Sequence, residues 1–115
     1  MRPIRILVLL IGAGCASAPV PSDRVAASEA SIRAAEEVGA PGVPPAALHL
    51  QLAREQVEVA RELIRQHRNE RARYMLLRAE ADAELALSLA REHAVQADAQ
   101  RALDQVHGLQ QGKTL

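Results

Sequence analysis

Apolar side chains recur along this chain at helical spacing in three stretches, and two breaks separate them. The middle stretch carries Leu52, Ala53, Val57, Ala60, Leu63 and Ile64 at steps of one, three and four, which lays a single stripe along a helix. Arg54, Glu55, Glu58, Arg61, Glu62 and Arg65 cover its other side as a solvated, ion-paired face. This predicts a helix from Pro45 or Ala46 to His67, over about 46–67. Before it, GAPGVPP at 39–45 places two glycines and three prolines in seven residues, the strongest break in the chain. A shorter helix over about 22–38 precedes that loop. Ser22 is its expected N-cap, Asp23 lies in its first turn, and Gly39 is the residue that stops it. Glu29 and Arg33, four apart, predict an ion pair along it.

The third stretch is the most regular. Ala72, Ala79 and Ala86 recur every seven residues, and Leu76, Ala83, Ala90 and Ala97 form a second seven-residue series offset by four. A seven-residue apolar period implies helices packed in left-handed coiled-coil fashion. Ala53 and Ala60 are also seven apart, so the two Ala seams predict an antiparallel hairpin. The third helix is expected over about 70–107, near 57 Å against roughly 33 Å for the second. Beyond about Arg91 it should project past the bundle. Leu85 and Leu89, off the seam, are the expected landing place of the first helix. Gly108 is expected to end the third helix, leaving 108–115 as a disordered tail.

The break between the second and third helices is less marked. The pattern shifts phase around His67-Arg68-Asn69-Glu70, and Asn69 is the plausible cap there. No Gly or Pro lies between Pro45 and Gly108, so one continuous helix over 46–107 is the rival reading, over 90 Å long by about 1.5 Å per residue. The fold class expected is therefore all-α, an up-down-up antiparallel bundle with a long Ala-seamed third helix.

Composition sharpens this picture. Tyr74 is the only aromatic residue and the apolar content is largely Ala, so the core is thin and stability modest. Formal charge is zero over the chain; without residues 1–14, and so without Arg2 and Arg5, 12 basic side chains face 14 acidic ones. Neither balance points to nucleic acid.

The N-terminus differs from the rest. Residues 1–14 read MRPIRILVLLIGAG, with Arg2 and Arg5 ahead of an apolar run from Ile6 to Ile11 and the small residues Gly12, Ala13 and Gly14. This is the layout of a cleavable signal peptide, and it is shorter than the roughly 20 apolar residues of a membrane span. Ala13, Gly14 and Cys15 resemble the lipobox of bacterial lipoproteins, with Gly12 where Leu is commonest. The resemblance implies cleavage between Gly14 and Cys15, a diacylglycerol thioether on Cys15, and an acyl chain such as palmitate on the new amine. Residues 15–21 then form the lipidated cysteine and a tether with two prolines. With Ala16 after the cysteine, the expected location is the bacterial cell envelope, at the periplasmic face of the outer membrane. A secreted protein with an unmodified Cys15 is the alternative.

From Ser22 to about Glu92 the chain resembles a family of short Ala-rich envelope lipoproteins, the domain of unknown function numbered forty-three ninety-eight. Cys15 with its Ala-Ser-Ala-Pro tether, Gly39-Ala40, Pro45 with Leu48 and Leu52-Ala53-Arg54-Glu55, Ala60-Arg61, and Arg78 to Ala86 carry the likeness. It implies a lipid-anchored helical hairpin and supplies no catalytic residues.

Candidate chemistry is sparse. His49, His67, His93 and His107 include no pair at three- or four-residue spacing, so no metal site is expected. Glu80 and Glu84 share a face without an aromatic wall to shift their pKa values. The serines Ser17, Ser22, Ser28, Ser31 and Ser88 lack a nucleophile-elbow context. No enzyme, no small-molecule substrate and no cofactor beyond the acyl groups on Cys15 are expected. One cluster stands out: Arg61, Arg65, Arg68, Arg71, Arg73 and Arg78 against Glu62 and Glu70, an excess of four positive charges around the second turn. In an up-down-up bundle this turn returns to the anchored end, which makes Arg65, Arg68 and Arg71 a candidate contact with anionic head groups, against the plainer reading of a solubilising turn. The reading is a lipid-anchored, non-enzymatic structural or interaction module. Ala72, Ala79, Ala86 and Ala90 are its expected contact with a helical partner or a second copy. A secreted helical adaptor or chaperone, or an accessory subunit of an envelope enzyme or transporter, are the alternatives.

Overall fold

The computed structural model describes residues 17–112. Residues 1–16, with Cys15 and the stretch read above as a signal peptide, and residues 113–115 lie outside that range. Three helices make up the described chain: α1 (Ser22–Glu37), α2 (Pro44–Arg65) and α3 (Asn69–Gly112), with a short 3-10 turn at Ala40–Gly42 between the first two. They pack up-down-up, with α3 against both α2 and α1.

Each boundary has a local cause. Pro21, not Ser22, occupies the cap of α1, and no side chain caps that end. Ser22 already lies in the first turn, and its expected role as N-cap is not fulfilled. Gly39 ends α1 as expected, with φ of +87°, and its N–H reaches the Glu36 carbonyl at 3.0 Å. That left-handed conformation is open to glycine without a Cβ clash. Pro44 and Pro45 begin α2, where an absent N–H costs nothing and a fixed φ is already helical.

The chain breaks between α2 and α3, so the single-helix reading does not hold. The break is a Schellman motif: the Arg68 N–H bonds the Leu63 carbonyl at 2.8 Å and the His67 N–H bonds the Ile64 carbonyl at 2.9 Å. His67 takes the left-handed position, with φ of +57°. Asn69 is the first residue of α3 rather than its cap. At the other end α3 does not stop at Gly108 but runs to Gly112, so residues 108–112 are helical and not a disordered tail. One interior glycine costs only about 1 kcal/mol, and Leu109, Gln110 and Gln111 after it are good helix formers.

The core is a seam of small residues. On α2, Ala46, Leu50, Ala53, Val57 and Ala60 are buried at alternating steps of four and three, and Ala72, Leu76, Ala79, Ala83, Ala86 and Ala90 do the same on α3. This is the seven-residue period read from the sequence, and it joins the two helices as an antiparallel pair. The Ala seam therefore lies inside the protein: Ala72, Ala79 and Ala86 are fully buried and Ala90 is 1% exposed. It is unavailable to an outside partner, which overturns the expectation that these four residues form a docking surface.

α1 lies along a different side of α3 from the one expected. Ser28, fully buried, directs its hydroxyl to the carbonyls of Leu76 on α3 and of Arg24 on its own helix. Arg24 bonds Glu80 at 3.1 Å, and Leu87, seven residues beyond Glu80, packs half-buried on the core. Leu85 stays 42% exposed and receives nothing. Glu29 reaches across to Arg61 on α2 instead of pairing with Arg33. Beyond Ala90 every described residue is exposed, so α3 overhangs the bundle by 91–112, about 33 Å of its roughly 66 Å.

Candidate functional site at the second turn

The tether comes back to the second turn. The Asn69 side-chain amide donates from Nδ2 to the Ala18 carbonyl at 2.6 Å, and Ser17 and Ala18 lie beside His67, Arg68 and Arg71. The first position of a helix holds an N–H without an intrahelical partner. Asn69 meets the incoming chain there rather than closing its own helix. Pro21 is buried at this end, which fixes the direction in which the tether enters α1.

The arginines around this turn fall into two groups. Arg61 bonds Glu29 and Glu58, and these partners, first the Glu29 bond, raise its guanidinium pKa further. Arg65 is held by Glu62 on its own helix. The Glu62 carboxyl is lowered by its bonds from Gln66 and Arg65. Arg68, Arg71 and Arg73 are exposed and, among the described residues, form no ion pair. The positive surface of the tip is therefore carried by Arg68, Arg71 and Arg73, and Arg65 enters it already partnered.

A second polar cluster lies farther along the α2–α3 seam. His49 Nδ1 donates to Asp82 Oδ1 at 2.9 Å and Gln56 Nε2 donates to Asp82 Oδ2 at 2.7 Å. A carboxylate only accepts, so the His49 proton sits on Nδ1. Burial pushes the Asp82 carboxyl up, but the bonds from His49 and Gln56 outweigh it and hold the carboxyl below its ordinary value. Thirty-three residues apart in the sequence, His49 and Asp82 carry no local sign of this contact. Seven-residue spacing of His49 and Gln56 was the available signal, because it sets both on one face of α2. The cluster holds α2 and α3 in register.

Among the described residues no group of His, Cys, Asp and Glu is placed to hold a metal ion, and no helix is long and apolar enough to cross a membrane. The hollow between tether, α1 and α3, lined by Pro19, Asp23, Arg24, Asn69 and Arg73, has a volume of about 210 Å³. That is below the few hundred Å³ of ordinary ligand pockets.

The sequence model of a family described as Domain of unknown function (DUF4398) matches residues 23–106. That span covers all three helices, part of the overhang included. No curated protein and no solved structure matches the chain.

Proposed function

The chain belongs to the DUF4398 family, and on that premise we propose that it is a lipid-anchored, non-enzymatic helical module of a bacterial envelope, at the periplasmic face of the outer membrane. One observation carries the reading: the bond from Asn69 to the Ala18 carbonyl. Ala18 is three residues after Cys15, a chain contour of at most about 11 Å. An acylated Cys15 therefore keeps the α2–α3 turn at the lipid surface, with Arg68 and Arg71 toward anionic head groups. Each such arginine adds up to about 1 kcal/mol of attraction. α3 starts at that turn and carries its free end away from the anchor, as a module that presents a surface to another protein does.

Metabolic labelling with a fatty-acid analogue tests the anchor. Label on the wild type that disappears in Cys15→Ser supports it, and an unlabelled wild type refutes it. Vesicle flotation tests the arginines. Arg68→Ala, Arg71→Ala and Arg73→Ala together, in the full chain carrying Cys15→Ser, should release the protein from phosphatidylglycerol vesicles. Unchanged flotation would remove the head-group contact.

A further inference from the structure

α3 has a second apolar face. At 3.6 residues per turn, Val95, Ala102, Val106 and Leu109 fall within about 60° of one another, on the side of the helix opposite the buried seam. The seam's own continuation is mostly polar, with His93, Gln100 and Asp104 around Ala97. The outer face extends back along the bundle through Leu85, Ala81 and Leu77, clear of the sides taken by α1 and α2. Its large residues are uncovered: Leu77 38%, Leu85 42%, Val95 66%, Val106 48% and Leu109 73% exposed.

Large and small residues along this face are complementary under reversal. When two copies of α3 run antiparallel about a two-fold axis between residues 93 and 94, Leu85 meets Ala102 of the second copy. In the same register Ala81 meets the second copy's Val106, and Leu77 lies near its Leu109. At the centre Val95 packs on the aliphatic stem of the second copy's Glu92, whose carboxylate stays at the solvent edge. The flanking charges agree. Arg91 and Asp98 share one edge of the stripe, and the same register sets Arg91 against the second copy's Asp98 twice over, where it would join the exposed bond that Asp98 makes to Arg101 on its own helix. A parallel pair has neither feature. It would set Leu85 on Leu85, Glu92 on Glu92, and the two arginine-bearing turns side by side. The antiparallel overlap runs over about 77–110, close to five heptads and above the three to four that sustain a coiled coil.

We infer that the outer face of α3 binds a second copy of this chain as an antiparallel coiled coil centred near His93. The inference rests on the reading of the protein as an interaction module, and it does not depend on the lipid. Such a pair holds the two α2–α3 turns about 75 Å apart, at opposite ends of the dimer.

The test uses the full chain carrying Cys15→Ser, which removes the sole native thiol. Sedimentation should show a dimer at tens of micromolar, and Val95→Asp with Val106→Asp should give a monomer with unchanged far-ultraviolet dichroism per bundle residue. R91D and D98R should each weaken pairing by about 2- to 30-fold, and the double variant should restore it. Mixing Leu85→Cys chains with Ala102→Cys chains should yield the mixed disulfide. A monomer throughout, or disulfides only between like positions, would overturn the inference. Labelled but monomeric wild type would leave the anchor standing and remove the pairing, whereas unlabelled but dimeric protein would do the reverse.

Discussion

His67 holds a backbone conformation that a side chain pays for. In the left-handed region a Cβ crowds the carbonyl oxygen, at a cost of about 1 kcal/mol, and the Schellman bonds from His67 and Arg68 fix it there. His67→Gly should therefore stabilise the protein by about 0.5–1 kcal/mol, read as a higher urea midpoint at unchanged slope. Asp82 makes a pH-dependent contribution. Its carboxyl lies lower in the folded protein than in the unfolded chain. Its stabilisation is therefore present above the unfolded value, near pH 4, and is lost as pH falls through the folded one. Asp82→Asn should destabilise the protein at pH 7, and the gap to wild type in a thermal melt should close as the pH is taken below about 4.

At the scale of the element, what decides the hairpin is how little lies between α2 and α3. Ala79, Ala83 and Ala86 are fully buried, and the helices meet through their methyl groups. Ala83→Leu adds volume where the backbone is the neighbour, and should cost about 1–3 kcal/mol. Leu76→Ala opens a cavity in a seam with few other large side chains, and should cost about 2–5 kcal/mol. Equilibrium denaturation of both variants checks the pair. This hairpin was legible in the sequence because a seven-residue Ala period has one helical meaning. The Gly39 stop was legible for the same reason: glycine and proline limit the backbone directly. The turn at His67 was visible only as a phase shift, since a histidine gives no local sign of a left-handed residue. The landing of α1 was not legible, because Ser28 reaches a backbone carbonyl and no side-chain pattern marks that. Nor was the run through Gly108, where the helix-forming residues on either side outweigh one glycine. Around the second turn the arginines were legible as a cluster. That Asn69 binds the tether was not, since an amide at a helix start reads equally well as a cap.

Across the whole molecule, the two faces of α3 divide its labour. One face is spent on the bundle from Ala72 to Ala90, and the other is free from Leu77 to Leu109. The turn that begins α3 sits beside residues 17 and 18, and the other end of α3 lies about 66 Å away. Removal of residues 92–115 should leave the melting of the monomeric bundle nearly unchanged, because no described residue after Ala90 is buried. A fall of more than a few degrees would show that the overhang supports the bundle.

The overhang also sets the order in which backbone amides meet solvent. A helix segment of 22 residues, 91–112, with no buried residue survives because the bundle has already formed its costly first turn. Opening then proceeds inward from the free end, and Gly108 and Gly112 place the weakest links there. Hydrogen exchange in the monomer should therefore rise in a gradient from Ala90 toward Gly112, with the slowest amides between Ala72 and Ala90. Pairing would flatten that gradient. A single exchange measurement against concentration thus reads both how far the helix frays and whether a second copy has zipped it closed.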